Sequence, residues 1–414
     1  MFFGAILTLS AQDIDYSRLV LNELASNKYH GRGYVNIGDK LAANYIEKQF
    51  KELGVLPANN GSYFQKLKMD VNTFPKTVEV YCNNVLLKPG VDYIINPSCG
   101  RFKFHGEIDF FTANELNDPK HYDVNAFQLK AAVLDSFNAQ YFENASITRK
   151  KFLKDYKKEL LVFLTNDKLT WGASQDVSPQ CIITIKRSAV SVSKKMNFKI
   201  VVKNKFIANY NSQNVLGLIK GEAKYKDSFI VFTAHYDHLG KMGNEAVFNG
   251  ANDNASGIAM MLNLAKHYAK NPPKYNLLFI AFTGEEMGLV GSKYYVQNPV
   301  YPLSNIRFLI NIDLMGNGAE GVMAVNGTVF KDEFELLKKL NTDKNYLPAV
   351  KARGKAANSD HYFFSEAGVP CFFFYLMGPY PYYHDVFDRA EEVPFTNYKE
   401  AFLLFRDFID ALSN

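Results

Sequence analysis

The amino-acid sequence predicts an α/β fold whose sheet is covered by helices on both faces. The second half of the 414-residue chain alternates short apolar runs, such as NLLFIAF at 276–282, with amphipathic stretches. These apolar runs are continuous, which is typical of strands buried on both faces. The segment 254–270 has helical spacing of its apolar residues, and Pro272 and Pro273 follow it as a helix end.

The remaining elements follow in order along the chain. Residues 16–54 predict two helices around the turn GRGYVNIG, and the second helix is expected to end at Gly54. Strands are expected at 214–221, 227–235, 276–282, 306–314 and 369–377. Further helices are expected at 291–298 and 397–413.

Residues 66–205 differ in character and predict an inserted, mainly β domain. Short β-prone runs such as TVEVYC, ELLVFLT and QCIITIKR are separated by turn residues, and no cluster of catalytic residue types occurs among them. Residues 13–65 and 206–414 then form the catalytic domain. The alternative is that 66–205 adds strands to the main sheet.

Composition and charge narrow the class of protein. A net charge of +5 is mild for this length, and basic and acidic residues alternate, so nucleic acid is not the expected partner. Residues 1–12, MFFGAILTLSAQ, resemble the apolar core and cleavage end of a secretory signal peptide, although the usual basic start is missing. The alternative is a frayed strand. We expect an exported protein, in the periplasm, outside the cell or at its surface, without a membrane span.

The four cysteines form no CxxC pair, which argues against a thiolate metal site. In an exported protein, Cys82 and Cys99 could form a disulfide. Cys371 lies in an apolar run and is expected to be a buried hydrophobic residue.

Residues of metal-binding type follow the carboxyl ends of four predicted strands. His235 and Asp313 lie at the ends of two strands, Glu285 and Glu286 follow a third, and His384 lies in the loop after the last. Ligands of open α/β sheets bind outside the carboxyl ends of the strands. We therefore expect these side chains to meet at one edge of the sheet.

The local context of each residue leaves alternatives. Asp313 lies in the apolar run LINIDLMG, where an unpaired charge is costly, so a metal is expected there. A lone histidine is usually structural, but Asp237 lies two residues after His235 and can fix its tautomer, because alternate strand residues share a face. By the same alternation His238 faces away and is expected to be structural.

The segment GEE contains Glu285 and Glu286. Adjacent glutamates cannot easily bind the same cation in the same way, so we expect one ligand and one general base. The alternative is two exposed glutamates at a helix start. Asp253, in GANDNASG, can be a ligand that bridges two cations or a helix cap, and its local sequence favours neither.

Two further residues lie near the candidate ligands. Tyr383 directly precedes His384, and its phenol could stabilise an oxyanion, although aromatic packing is common in a chain with 25 tyrosines. Asp360, in NSDHYFF, is expected to cap a helix.

Three carboxylates and two imidazoles suit zinc, with manganese or cobalt as alternatives. Five side chains are too many for one four-coordinate catalytic zinc. They suit two ions about 3.5–4 Å apart that share a carboxylate and a water molecule. We therefore expect two Zn²⁺ per chain, bound by His235, Asp253, Glu286, Asp313 and His384.

The ordered segments AHYDHLG, NGANDNASG, FTGEEMGLVGS, NIDLMG, SDHYFF and YYHDVFD resemble metallopeptidase family 28. This family includes secreted dizinc aminopeptidases, with glutamate carboxypeptidases and glutaminyl cyclases as relatives. The resemblance covers residues 16–65 and 206–414. It implies a three-layer α/β/α sandwich with a mixed, mostly parallel sheet, and an insertion where some members carry a protease-associated domain.

The resemblance also implies a role for each candidate residue. His235 and Asp313 would hold one zinc, Glu286 and His384 the other, and Asp253 would bridge them. Asp237 would orient His235, Glu285 would be the general base acting on the bridging water, and Tyr383 would support the oxyanion.

These roles imply an exopeptidase acting on peptides, and an aminopeptidase first. Carboxypeptidase or dipeptidase action is an alternative that needs a cation for the substrate carboxylate, and Arg353 or Arg389 could supply it. Glutaminyl cyclisation is associated with a single zinc in this family, so the five ligands argue against it. A non-catalytic peptide-binding protein of the same fold is disfavoured because the ligands and Glu285 are all present.

Overall fold

The computed structural model describes residues 13–111, 131–135 and 159–413, so the signal-like segment 1–12 lies outside it. In the described part of the chain, no helix is long and apolar enough to cross a membrane. The helices of this part are α1 (Ile14–Leu24), α2 (Gly38–Glu52), α3 (Ser256–Lys270), α4 (Val290–Gln297), α5 (Lys331–Lys344), α6 (His361–Glu366) and α7 (Tyr398–Leu412).

The strands divide into two large sheets and one hairpin. In chain order they are β1 (Leu56–Pro57), β2 (Phe64–Thr73), β3 (Val78–Cys82), β4 (Val85–Leu86), β5 (Tyr93–Ile95), β6 (Phe102–Phe111), β7 (Ala131–Asp135), β8 (Leu160–Thr165), β9 (Cys181–Lys186), β10 (Lys195–Val202), β11 (Lys205–Ile219), β12 (Phe229–His235), β13 (Gly240–Met242), β14 (Ala246–Phe248), β15 (Asn276–Phe282), β16 (Ile306–Asp313), β17 (Gly321–Val325), β18 (Val350–Arg353) and β19 (Cys371–Met377).

The main sheet is mixed, with a parallel centre. Its order is β1-β11-β15-β12-β16-β19-β17-β18, and β2 pairs with β11 beside this path. The central strands β15, β12, β16 and β19 are parallel to one another, whereas β11 and β17 are antiparallel to their central neighbours. The predicted mixed sheet is confirmed, and its four parallel central strands end at the same edge.

Two apolar cores lie on opposite faces of this sheet. Alternate residues of a strand point to opposite faces, and in β12 Ile230 and Phe232 join one core whereas Val231 joins the other. The first core contains residues of α1, α2, α3, α5 and α7. The second core contains Tyr295 of α4 and Phe364 of α6. The three-layer α/β/α arrangement is therefore present, as predicted.

The second sheet has the order β4-β3-β10-β6-β7-β8-β9-β5 and covers the chain from Val78 to Val202. The boundary predicted at residue 66 falls inside β2, and β2 belongs to the main sheet because it pairs with β11 from Phe64 to Thr73. The apolar core of the second sheet also includes five side chains from residues 206–414, namely Leu239, Met242, Ala246, Phe248 and Val386.

All four cysteines are free and buried, so the Cys82–Cys99 disulfide that an exported protein could form is not present. Cys82 lies on β3, opposite Phe198 of β10, and is separated from the Cys99 segment by several strands. The Cys99 thiol instead lies within hydrogen-bonding reach of the Cys181 thiol, which raises the pKa of Cys181. Cys371 is fully buried, as predicted.

Candidate metal centre

The parallel strands bring the candidate ligands to one edge of the main sheet. His235 and Asp313 are the last residues of β12 and β16, which are neighbours in the sheet. The loop after β15, on the other side of β12, contributes Glu286, and the loop after β19 contributes His384. Asp253 lies just before α3. The candidate ligands therefore meet at the carboxyl ends of the parallel strands, as the sequence predicts.

The five predicted ligands form two groups that share Asp253. In the first group, Nε2 of His235 lies 3.4 Å from Oδ1 of Asp253 and 3.3 Å from Oδ2 of Asp313. In the second, Nε2 of His384 lies 3.1 Å from Oδ2 of Asp253 and 3.3 Å from Oε2 of Glu286. Each oxygen of the Asp253 carboxylate thus faces a different imidazole, as a carboxylate that bridges two cations would.

The chemistry of these groups fits divalent cations. His235, Asp253 and Asp313 offer one nitrogen and two carboxylate oxygens close enough to share an ion. Oδ1 of Asp313 is buried and has no hydrogen-bond partner among the described residues. Because a buried carboxylate is costly without a compensating charge or hydrogen bond, this orphaned oxygen supports a cation at the site. Nitrogen and oxygen donors suit zinc.

Glu285 lies beside the two groups without belonging to either. It lines a cavity of about 220 Å³ together with His235, Asp253, Asp313 and His384. Burial raises the pKa of the Glu285 carboxyl well above its ordinary value, His235 opposes this, and the nearby acids Glu286, Asp360 and Asp313 add to it. A carboxyl group with a raised pKa, next to candidate metal ligands, is suited to proton transfer.

Asp237 acts on different partners from those predicted. Its Oδ1 lies 3.8 Å from Nδ1 of His235, which is too far for a hydrogen bond, whereas its main-chain oxygen lies 3.2 Å from that nitrogen. The carboxylate instead accepts hydrogen bonds from the Tyr34 hydroxyl (2.9 Å) and the main-chain N–H groups of Glu285 (3.2 Å) and Glu286 (3.4 Å). Because β12 ends at His235, strand alternation does not extend to Asp237. The carboxylate therefore holds the loop of the two glutamates.

His238 was expected to face away from the site, and this prediction is wrong for the same reason. Its Nδ1 lies 2.7 Å from Oε1 of Glu286 and 4.0 Å from Oδ1 of Asp253, so His238 forms a possible ligand set with these two acids. His384 is the candidate nearer to Asp253, at 3.1 Å, whereas His238 is the one nearer to Glu286. In addition, Nδ1 of His384 lies 3.0 Å from the Trp171 carbonyl oxygen, and an anchored second nitrogen is typical of metal-bound imidazoles.

Asp388 holds the Asp253 loop from one side, and the sequence analysis did not include it. Its two carboxylate oxygens accept hydrogen bonds from the main-chain N–H groups of Asn252 (2.8 Å) and Asp253 (3.0 Å). The Tyr380 hydroxyl donates a third hydrogen bond, at 2.7 Å. Asp388 lies four residues after His384 in the segment YYHDVFD, so its proximity to a candidate ligand was the available signal.

Arg32 also holds the Asp253 loop, and nothing in the sequence signals this role. Its side chain is fully buried. Its guanidinium donates hydrogen bonds to the carbonyl oxygens of Tyr236 (2.8 Å), Leu24 (3.2 Å), Asn249 (2.5 Å), Gly250 (2.7 Å) and Asp253 (3.2 Å). Burial lowers the pKa of Arg32 to about 10, and Asp388 and Asp253 oppose this. The turn GRGYVNIG thus supplies a positioning side chain besides its glycines.

The other predicted residues have mixed outcomes. The ring of Tyr383 stacks on His384 at a centroid distance of 4.0 Å, and Tyr383 lines the cavity. Asp360 precedes α6 but makes no side-chain cap. It is fully buried, and its pKa is raised to about 7, mainly by burial, so it belongs to the surroundings of Glu285 and His235.

The two arginines considered for a substrate carboxylate lie in different places. Arg353 lines the same cavity as the candidate ligands, and its Nη1 donates a hydrogen bond to the Tyr375 hydroxyl at 3.2 Å. Arg389 lines a larger cavity of about 600 Å³, whose wall contains none of the five ligands. Arg353 is therefore the arginine that a bound substrate could meet.

The sequence of the chain is similar to those of known peptidases. The sequence model of Peptidase family M28 matches residues 214–409. Aminopeptidase YwaD of Bacillus subtilis (strain 168) is 26% identical over 381 residues, which are 86% of this chain and 77% of YwaD. Residues 214–409 contain all five candidate ligands and Glu285.

Solved structures share the fold. The structure of BSAP, a zinc aminopeptidase from Bacillus subtilis, has a TM-score of 0.68 at 19% identity and covers 96% of this chain and 93% of its own. The Peptidase M28 precursor from Shewanella amazonensis SB2B has a TM-score of 0.72 at 15% identity, covering 97% and 98%. Because the alignments cover nearly the whole chain, the likeness extends to the second sheet.

Proposed function

We propose that this chain, whose residues 214–409 belong to peptidase family M28, is an aminopeptidase that holds two zinc ions and removes N-terminal residues from peptides. The observation that carries this proposal is the Asp253 carboxylate, whose two oxygens face the imidazoles of His235 and His384 separately. The names of its relatives YwaD and BSAP support the choice of an aminopeptidase and of zinc.

Each residue has a place in the proposed reaction. His235, Asp313 and Asp253 would hold one ion, and Glu286, His384 and Asp253 the other. Zinc supplies Lewis-acid polarisation of the scissile carbonyl and lowers the pKa of water.

Glu285 accepts a proton from the attacking water and returns it to the leaving amine. Burial raises its pKa above the ordinary value, which suits a group that both accepts and returns a proton. The Asp237 carboxylate holds Glu285 in place by accepting a hydrogen bond from the main-chain N–H of Glu285. The Tyr383 hydroxyl is the cavity-lining group that we assign to the oxyanion.

Cleavage of free and N-terminally blocked peptides of one sequence tests the end preference. We expect release of the first residue from the free peptide and at least a hundredfold loss of kcat/KM on acetylation, because the amine is then no longer available to the site. Mass spectrometry of the products identifies the cleaved bond. Equal cleavage of the acetylated peptide would overturn aminopeptidase action.

Arg353 favours a second candidate, dipeptidase or carboxypeptidase action. Its exposed guanidinium lines the cavity and pairs with no carboxylate among the described residues. If it binds a C-terminal carboxylate, Arg353→Gln should raise KM for dipeptides by about tenfold, the value of a charge-assisted hydrogen bond, and leave C-terminally amidated substrates unchanged.

Arg307→Gln is the matched control, because Arg307 is also exposed but lies outside the cavity. An Arg353→Gln protein with unchanged KM for dipeptides and amides alike would exclude this second candidate.

A further inference from the structure

The inserted second sheet contacts the loop that carries His384. The contact is made by the segment 168–171, which follows β8 of that sheet. It meets the loop 381–386, which follows β19 of the main sheet. We call 168–171 the clamp segment.

Trp171 of the clamp segment and His384 are joined by two hydrogen bonds. The Trp171 N–H donates to the His384 carbonyl oxygen at 2.9 Å. In return, the Trp171 carbonyl oxygen lies 3.0 Å from Nδ1 of His384. Nδ1 can donate to this carbonyl only in the tautomer that carries the hydrogen on Nδ1. In that tautomer Nε2 has no hydrogen, and Nε2 is the atom that faces Asp253 and Glu286. The contact thus selects the tautomer that a metal needs.

Trp171 is itself anchored in the core of the second sheet. Its Nε1–H donates to the Ile95 carbonyl oxygen at 2.8 Å, and only 6% of the residue is exposed. Its ring lies 6.0 Å from that of Phe74 and 4.6 Å from that of Phe248. The carbonyl that meets His384 therefore belongs to a residue with little freedom to move.

Two further contacts hold the His384 loop against the insertion. Lys168 forms an ion pair with Asp385 at 2.9 Å and donates a hydrogen bond to the Pro381 carbonyl oxygen. Val386 packs into the core of the second sheet, where a Cβ on Gly90 would lie 2.4 Å from its Cγ1. The loop is thus fastened on both sides of His384.

The backbone of His384 makes this support necessary. Its φ is +56°, a left-handed conformation that is costly for a residue with a side chain. Such a conformation persists only where the surrounding structure imposes it. The hydrogen bonds to Trp171 act on the same residue, at its carbonyl and at its ring.

We propose that the inserted sheet is part of the metal centre, and that Lys168 and Trp171 are positioning residues that set the orientation and tautomer of His384 for one of the two ions. This inference rests on the proposed function, because it assumes that His384 binds a metal. It assigns to the insertion a role in metal affinity, through contacts within the chain.

Zinc titration of the full chain tests the proposal. Metal-free protein is prepared with a chelator, and both zinc dissociation constants are measured by competition with a chromophoric zinc indicator. The variants are Lys168→Met, which removes the ion pair, Trp171→Phe, which keeps an aromatic ring but removes the bond to Ile95, and their combination. Lys199→Met is the matched control, because Lys199 is an exposed lysine elsewhere in the second sheet.

We expect the combined variant to bind one ion about tenfold more weakly, because the Trp171 carbonyl that meets His384 loses the side-chain contacts that fix it, with the other ion and Lys199→Met unaffected. In a His384→Ala background the combined change should have no additional effect. When cobalt replaces zinc in the combined variant, the absorption bands of only one of the two bound cobalt ions should shift from their wild-type positions.

A folded combined variant with two unchanged zinc affinities, or with both affinities weakened equally, would overturn the positioning role. Thermal unfolding of the metal-free variants checks that they are folded. If the wild-type protein binds fewer than two ions, the proposed function itself is contradicted, so the two failures can be told apart.

Discussion

Replacing Glu285 with glutamine is expected to lower kcat for peptide hydrolysis by roughly 10²–10⁴-fold, the range for loss of a general base, while two zinc ions stay bound. Glutamine has nearly the same size but cannot accept a proton from water. Glu285 lines the cavity with the ligands but belongs to neither ligand group, so the metal centre should persist. Steady-state kinetics and zinc content by atomic absorption measure both parts.

Glu286→Gln is the matched control, because it makes the same change at the neighbouring residue. Oε2 of Glu286 lies 3.3 Å from Nε2 of His384, so this variant should lose affinity for one ion, and its activity should recover partly at high zinc concentration. Near-native kcat in Glu285→Gln would show that another group removes the proton. Loss of zinc from Glu285→Gln would instead make Glu285 a ligand.

Replacing Arg32 with methionine is expected to lower the free energy of unfolding by about 3–5 kcal/mol, because buried partners lose their charged donor. The side chain is fully buried and donates to five carbonyl oxygens, three of them at Asn249, Gly250 and Asp253. Without Arg32 the Asp253 loop loses three of its hydrogen bonds, so zinc affinity should fall as well. Urea unfolding with and without zinc separates the two effects.

Arg32→Lys is the informative companion variant. Lysine keeps the positive charge but has three donors instead of the five of a planar guanidinium. We therefore expect Lys to restore only part of the lost stability. If the free energy of unfolding of Arg32→Met differs from that of the wild type by less than about 1 kcal/mol, and the variant keeps both zinc ions, Arg32 does not hold the Asp253 loop.

Much of this architecture could be predicted because it depends on local patterns. Continuous apolar runs such as 276–282 are buried on both faces, and parallel strands end at the same edge, so the meeting of His235 and Asp313 follows from sequence and elementary geometry. Asp253 was different, because its local sequence fits a cap as well as a ligand. One Asp253 oxygen faces His235 and the other faces His384, and this arrangement depends on the tertiary structure.

The wrong predictions near the site share one cause. The alternation of side chains between the two faces holds only within a strand, and β12 ends at His235. The predictions that His238 faces away and that the Asp237 carboxylate meets His235 extend this alternation past the strand end. Once a strand ends, the direction of a side chain depends on contacts with other segments. Asp360 illustrates the same limit, because its position before α6 indicates a cap, yet its carboxylate is buried near the site instead.

The sequence by itself determined the α/β sheet and the edge at which the candidate ligands gather, because burial patterns and strand ends are local properties. The tertiary structure alone decided what holds the ligands in place. Arg32 and Asp388 lie far from Asp253 along the chain, and Trp171 lies far from His384. Their contacts exist only when the N-terminal turn and the inserted sheet pack against the strand ends, and no periodicity in the sequence encodes that packing.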